Sequence, residues 1–151
     1  MKRTVEELLR EPYVIIDILP RRVPENSPGQ YFAVEKYFRN EPQVSVVKQK
    51  HIDLILKLNC YRDISADEWE NVNPPPEQIA EAMRREPVMI MAGDSMFCSE
   101  PDELYMTLYH PDGRLLSLVR TLAAGEGKYP EGLGSGWTSR ENIPTADSAP
   151  T

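Results

Sequence analysis

Fourteen prolines cut this chain of 151 residues into short segments, and their placement constrains the fold more than any other feature. Proline fixes φ, lacks a backbone N–H, and pushes the preceding residue out of helical conformation. Pro12, Pro20, Pro42, Pro87, Pro101 and Pro111 therefore read as boundaries between elements. Pro24 and Pro28 stiffen one loop, Pro74 to Pro76 open a helix, and Pro130, Pro144 and Pro150 fall in the C-terminal segment. The pattern describes many short elements, not a proline-rich ligand.

Between these stops the side-chain patterns assign the elements. Thr4-Val5-Glu6-Glu7 matches a capping box and predicts a short helix over residues 4–10. Tyr13 to Leu19 is rich in β-branched residues and reads as a strand. Residues 20–29 form a loop, in which Arg21 and Arg22 are either an anion site or a solvated pair. Gln30 to Phe38 matches helix and strand templates in part, and its aromatic density favours a strand. From Lys50 to Tyr61 the residues Ile52, Leu54, Leu56, Leu58 and Cys60 alternate with polar ones, which predicts a strand. Ile55 and Tyr61 then occupy its other face, so both faces of that strand are covered, by a second layer or by a partner.

The second half reads more simply. Asp63 to Asn71 is an acidic loop around Trp69. A helix follows near residues 75–86, with Asn73 as its expected cap. Strands are predicted at 88–91, 96–98 and 104–109. In the last of these Leu104, Met106 and Leu108 share one face, and Tyr105, Thr107 and Tyr109 the other. Leu115, Leu118, Val119 and Leu122 recur at helical spacing, predicting a helix over 114–124 that closes at Gly125. The expected architecture is one α+β domain over residues 1–127, a mostly antiparallel sheet with two main helices on one face. Residues 128–151 have a low-complexity composition and are expected to be a disordered tail.

Bulk charge excludes several function classes. The net charge is -7 with 17 basic and 24 acidic groups, the hydrophobic share is 40%, and the mean hydropathy is -0.49. Residues 1–60 carry 10 basic and 8 acidic groups, whereas residues 61–124 carry 5 and 12. No basic face is in evidence for a nucleic-acid partner. The longest apolar run, Val88 to Ala92, is far short of a bilayer span, and no secretory leader is expected. Cys60 and Cys98 fit no zinc spacing, and free thiols point to a reducing, cytoplasmic setting.

Several residues are candidates for chemistry. Gly93-Asp94-Ser95 follows an apolar strand, and over Met89 to Met96 it resembles the nucleophile block of the GDSL hydrolases. That resemblance implies Ser95 as a nucleophile beside an oxyanion hole. The aspartate that this family places three residues before its histidine has no counterpart, because only His51 and His110 occur. Cys98 with His110 is the alternative nucleophile pair. Asp94, Ser95, Cys98 and His110 are thus the candidate catalytic set. No metal site is expected, since His51 and Cys60 would point to opposite faces of a strand. No phosphate loop or dinucleotide fingerprint occurs, and no cofactor is expected. Tyr61, Trp69, Tyr105 and Tyr109 are residue types that anchor interfaces and are the candidate partner-binding set.

Ile55 to Leu58, Asn59-Cys60-Tyr61, Asp102 to Tyr109 and Leu122 to Gly127 together resemble a small family of uncharacterised proteins from Gram-positive bacteria. The likeness covers residues 12–127. Its motifs are structural, so it implies no activity and transfers no site residues. It also implies a short apolar strand after Gly127, where this chain has Lys128-Tyr129-Pro130 instead. The functional expectation is a non-catalytic cytoplasmic protein that binds another protein or its own copy. The rivals are a small hydrolase using Ser95 or Cys98, and a small-ligand-binding protein.

Overall fold

The computed structural model describes residues 4–19 and 23–126. Its elements in chain order are α1 (Val5–Leu8), β1 (Tyr13–Ile16), α2 (Tyr31–Phe38), α3 (Gln43–Asn59), α4 (Pro76–Arg85), β2 (Val88–Ala92), β3 (Ser95–Ser99), β4 (Met106–Tyr109) and α5 (Gly113–Gly125). The fold is α+β, with a single antiparallel sheet ordered β1-β4-β3-β2. The expected tail at 128–151 and the Arg21-Arg22 pair lie outside the described residues.

Local chemistry explains the ends of the elements. The Thr4 hydroxyl accepts from Glu7 N–H at 3.1 Å, and the Glu7 carboxylate accepts from Thr4 N–H at 2.9 Å, closing the capping box on α1. Gly93 takes φ 65° in the two-residue turn between β2 and β3, a left-handed conformation that glycine adopts without a Cβ penalty. The Asp112 carboxylate caps α5 by accepting from Leu115 N–H at 2.8 Å. Asn73 does not cap α4, whose N-cap is Pro75. It sits instead at φ 55°, where its side-chain carbonyl accepts from Ile64 N–H at 2.9 Å and Asn59 Nδ2 at 2.7 Å. A short polar side chain tolerates that backbone and latches the 63–73 loop to the end of α3.

Two expected strands are helices. The expected strand at 30–38 is instead α2 with Gln30 as its N-cap, and Tyr31, Glu35 and Phe38 fall on one helical face, half-buried toward the domain. Residues 50–61 lie mostly in α3, a helix of 17 residues without Gly or Pro. Its buried face runs through Val47, Lys48, His51, Ile52, Leu54, Ile55 and Leu58, the spacing of 3.6 residues per turn. α3 contacts α2, α4 and α5 and packs on the sheet. A helix enclosed on so many sides buries a wide stripe, and over a short window that stripe imitates alternation. With the strand goes the two-sided surface on which self-association was expected. The helices on the core face are therefore α3, α4 and α5, three main ones rather than two.

The sheet's two faces differ. Ile16, Met106, Leu108, Phe97 and Ile90 enter the main core with the apolar sides of α3, α4 and α5. On the opposite face Tyr13 and Ile15 form a second cluster with Tyr105 and Tyr109. α1 packs beside β3, with Leu8 fully buried. The outer edge of β2 is met by Ser65, whose N–H donates to Met91 O at 3.0 Å and whose carbonyl accepts from Met91 N–H at 2.7 Å.

The helical register of α3 makes a direct prediction. Ile55→Ala is expected to cost about 2–5 kcal/mol, because a fully buried side chain leaves a cavity. Cys60→Ala is expected to stay within about 0.5 kcal/mol, because Cys60 is exposed. Urea unfolding of both variants checks the pair, and a strand register would reverse their order.

Candidate functional site

The four residues singled out for catalysis divide between two places. Ser95, at the start of β3, points to the core side and is buried. Its Oγ donates to the main-chain carbonyl of His110 at 2.7 Å. His110 has φ 56°, and its Nδ1 donates to the Asp94 carbonyl at 3.2 Å. The three residues thus meet, but through backbone carbonyls. A serine nucleophile instead needs its hydroxyl hydrogen-bonded to the imidazole of its base. The arrangement clasps the β2–β3 turn to the end of β4. Cys98 lies three residues further along β3, on the other face and about 10 Å away along the strand.

The candidate partner residues also separate. Tyr61 is exposed just past α3, while Trp69 packs against the main core. Tyr105 and Tyr109 come together with Tyr13 and Cys98 on the open face of the sheet. There they line a cavity of about 260 Å³ with Met89, Thr107, Glu100 and Glu103. The Tyr13 and Tyr109 rings lie side by side, with centroids 4.9 Å apart and planes inclined by 39°. The Cys98 thiol is held up to about 11 by burial, against a hydrogen bond with Thr107 that favours the thiolate. It is a neutral part of the wall at physiological pH, not an activated nucleophile.

One end of this face is acidic by construction. The β3–β4 connection carries Glu100, Asp102 and Glu103, and two cations hold it from the helix side. Lys48 Nζ donates to Glu100 O at 2.7 Å and Ser99 Oγ at 3.0 Å. Arg39 donates to Asp102 O at 3.1 Å and pairs with Glu103 and Glu35, each at 3.1 Å. Lys48 is only 5% exposed, and burial lowers its ammonium to about 8 against the pull of Asp102, Glu100 and Glu103. Nothing in the sequence marks Lys48, since a lysine at a core-facing helical position reads as an exception to the apolar stripe. Tyr13 was legible as the first residue of a strand, but its pairing with Tyr109 is a tertiary fact.

A second surface was invisible while residues 30–38 were read as a strand. No residue of α2 is buried. Phe32 is 79% exposed and Tyr37 57%, and Val46 near the start of α3 is 54% exposed. Val46 also lines a groove of about 410 Å³ at the α2–α3 junction, together with Ile18, Phe38, Pro42, Gln43, Val47 and Lys50.

No cluster of His, Cys, Asp and Glu among the described residues is arranged to hold a metal ion, and no helix among them is long and apolar enough to cross a membrane. Comparison with protein-family models, curated proteins and solved structures finds no match to this chain.

Two measurements check this site. With a thiol reagent at neutral pH, Cys60 is expected to react promptly and Cys98 much more slowly, because the raised pKa of Cys98 leaves little thiolate. Equal rates in the folded protein would contradict the raised thiol pKa of Cys98. The second concerns Lys48, whose folded value lies below the unfolded one near 10.5. The unfolded chain then binds more protons between pH 8 and 10.5, so Lys48's contribution to stability rises with pH across that window. Measured against Lys48→Met, the wild type is expected to gain about 3 kcal/mol from pH 8 to pH 10.5. Parallel stability curves would show that the ammonium is not desolvated.

Proposed function

We propose that this is a cytoplasmic, non-catalytic interaction module that docks a partner protein on α2 and the start of α3. The observation that carries this reading is α2 itself, eight residues with none buried and with Phe32 and Tyr37 largely in water. Scattered exposed apolar residues are ordinary, but here they occur on the same two helices as an apolar groove at the α2–α3 junction, lined by Phe38, Pro42 and Val46, and such grooves are usual seats for a partner's anchors. The occupant that suits the groove is an amphipathic helix with acidic flanks. Its apolar face would lie along Phe38, Pro42 and Val46, and its carboxylates would meet Lys36 and Lys50.

A photo-crosslinking residue at position 32, introduced in the native host, tests the reading. One adduct of defined mass is expected at position 32, and Val46→Asp should weaken rebinding of the purified partner at least about tenfold. An adduct of twice the 17.2 kDa chain mass would make the protein self-associating instead. Crosslinking at position 61 but not 32 would move the interface to Tyr61.

A further inference from the structure

We propose that the tyrosine-lined cavity on the open face of the sheet binds a small organic ammonium ion of the trimethylammonium type. The inference is independent of the α2 surface, which lies on different elements. Three observations converge on it.

The first is the wall. Tyr13 and Tyr109 come from the paired strands β1 and β4, Tyr105 immediately precedes β4, and the three converge on one cavity with Met89 beside them. Aromatic rings attract cations through their negative faces, and a quaternary ammonium is the cation that gives up water for such a wall most readily. The second is charge. Among the described residues the lining includes Glu100 and Glu103 and no Lys, Arg or His, which disfavours phosphate or carboxylate ligands. Glu103 is already paired with Arg39, whereas the Glu100 carboxylate has no ion pair among the described residues. A carboxylate with no direct ion pair among the described residues, which interacts with Lys48 only at longer range, therefore stands at the rim of an aromatic cavity. The third is size. About 260 Å³ lies just below the range of roughly 300–1,000 Å³ that holds drug-sized molecules, and it suits a head group.

The role of Lys48 follows from this geometry. By holding the Glu100 carbonyl from the helix side, it fixes the backbone that carries the rim carboxylate. Lys48 is a positioning residue and does not line the cavity.

Choline and 3,3-dimethylbutan-1-ol have the same shape and differ in charge, so together they isolate the cation. In a titration followed by amide NMR, choline is expected to shift Tyr13, Thr107 and Tyr109 saturably. The neutral alcohol is expected to bind about tenfold more weakly. Glu100→Gln, an exposed and isosteric change, should weaken choline several-fold and leave the alcohol unchanged. Tyr105→Leu should weaken choline while keeping the spectrum of a folded domain. Equal affinity for the two compounds, or no saturable shift at these residues, would overturn the proposal. A trimethyllysine peptide that binds more tightly than choline would replace the small-molecule ligand with a protein side chain.

Discussion

An ammonium group buried between a helix and a sheet must find acceptors, and the placement of Lys48 organises much of what surrounds it. Its two acceptors are the hydroxyl at the end of β3 and the carbonyl of the next residue. The β3–β4 connection is thereby tied to α3, and Arg39 ties the same connection to the end of α2. Three carboxylates in four residues would repel one another and drift toward water. Instead they are presented at a defined place, because the backbone beneath them is held by cations that are themselves partly or wholly withdrawn from solvent. Burial of this kind is costly for an isolated charge and tolerable for one that is fully hydrogen-bonded.

How much was legible in the sequence follows from how local each signal is. The capping box at Thr4, the Gly93 turn, the Asp112 cap and the period-two strands after residue 87 depend on neighbours within a few positions, and they appear where local rules put them. α3 fails the same rules for a tertiary reason. Ile52, Leu54, Ile55 and Leu58 are all buried because the helix is surrounded, so the polar side that marks a helix narrows to a line through Gln49, Asp53 and Lys57. The tell was in composition: Lys, Leu and Gln in a stretch free of Gly and Pro favour helix. α2 fails because its aromatic residues look like strand residues, although two of the four, Phe32 and Tyr37, face water.

The candidate site was half legible for a related reason. Tyr105 and Tyr109 do lie on the same side, packed on Tyr13 and Ile15, although β4 begins only at Met106 and Tyr105 just precedes it. Their third wall, Tyr13, arrives from the chain's beginning, and the carboxylates arrive from a turn whose shape depends on Lys48. Ser95 and His110 illustrate the converse. Residue types that invite a catalytic reading do meet in space, yet hydroxyl and imidazole each reach a main-chain oxygen and not one another.

The bridge between Ser65 and Met91 has a consequence for how this domain can recognise anything. An open strand edge is a template onto which another chain can add as a further strand, a mode that reads backbone more than side chains. At the outer side of β2 that template is occupied at Met91 by the chain's own loop, in both hydrogen-bonding directions. The loop is in turn latched by Asn73. Recognition along this border must then rely on what side chains display, and the same closure protects an apolar strand rich in methionine and isoleucine from edge-to-edge aggregation.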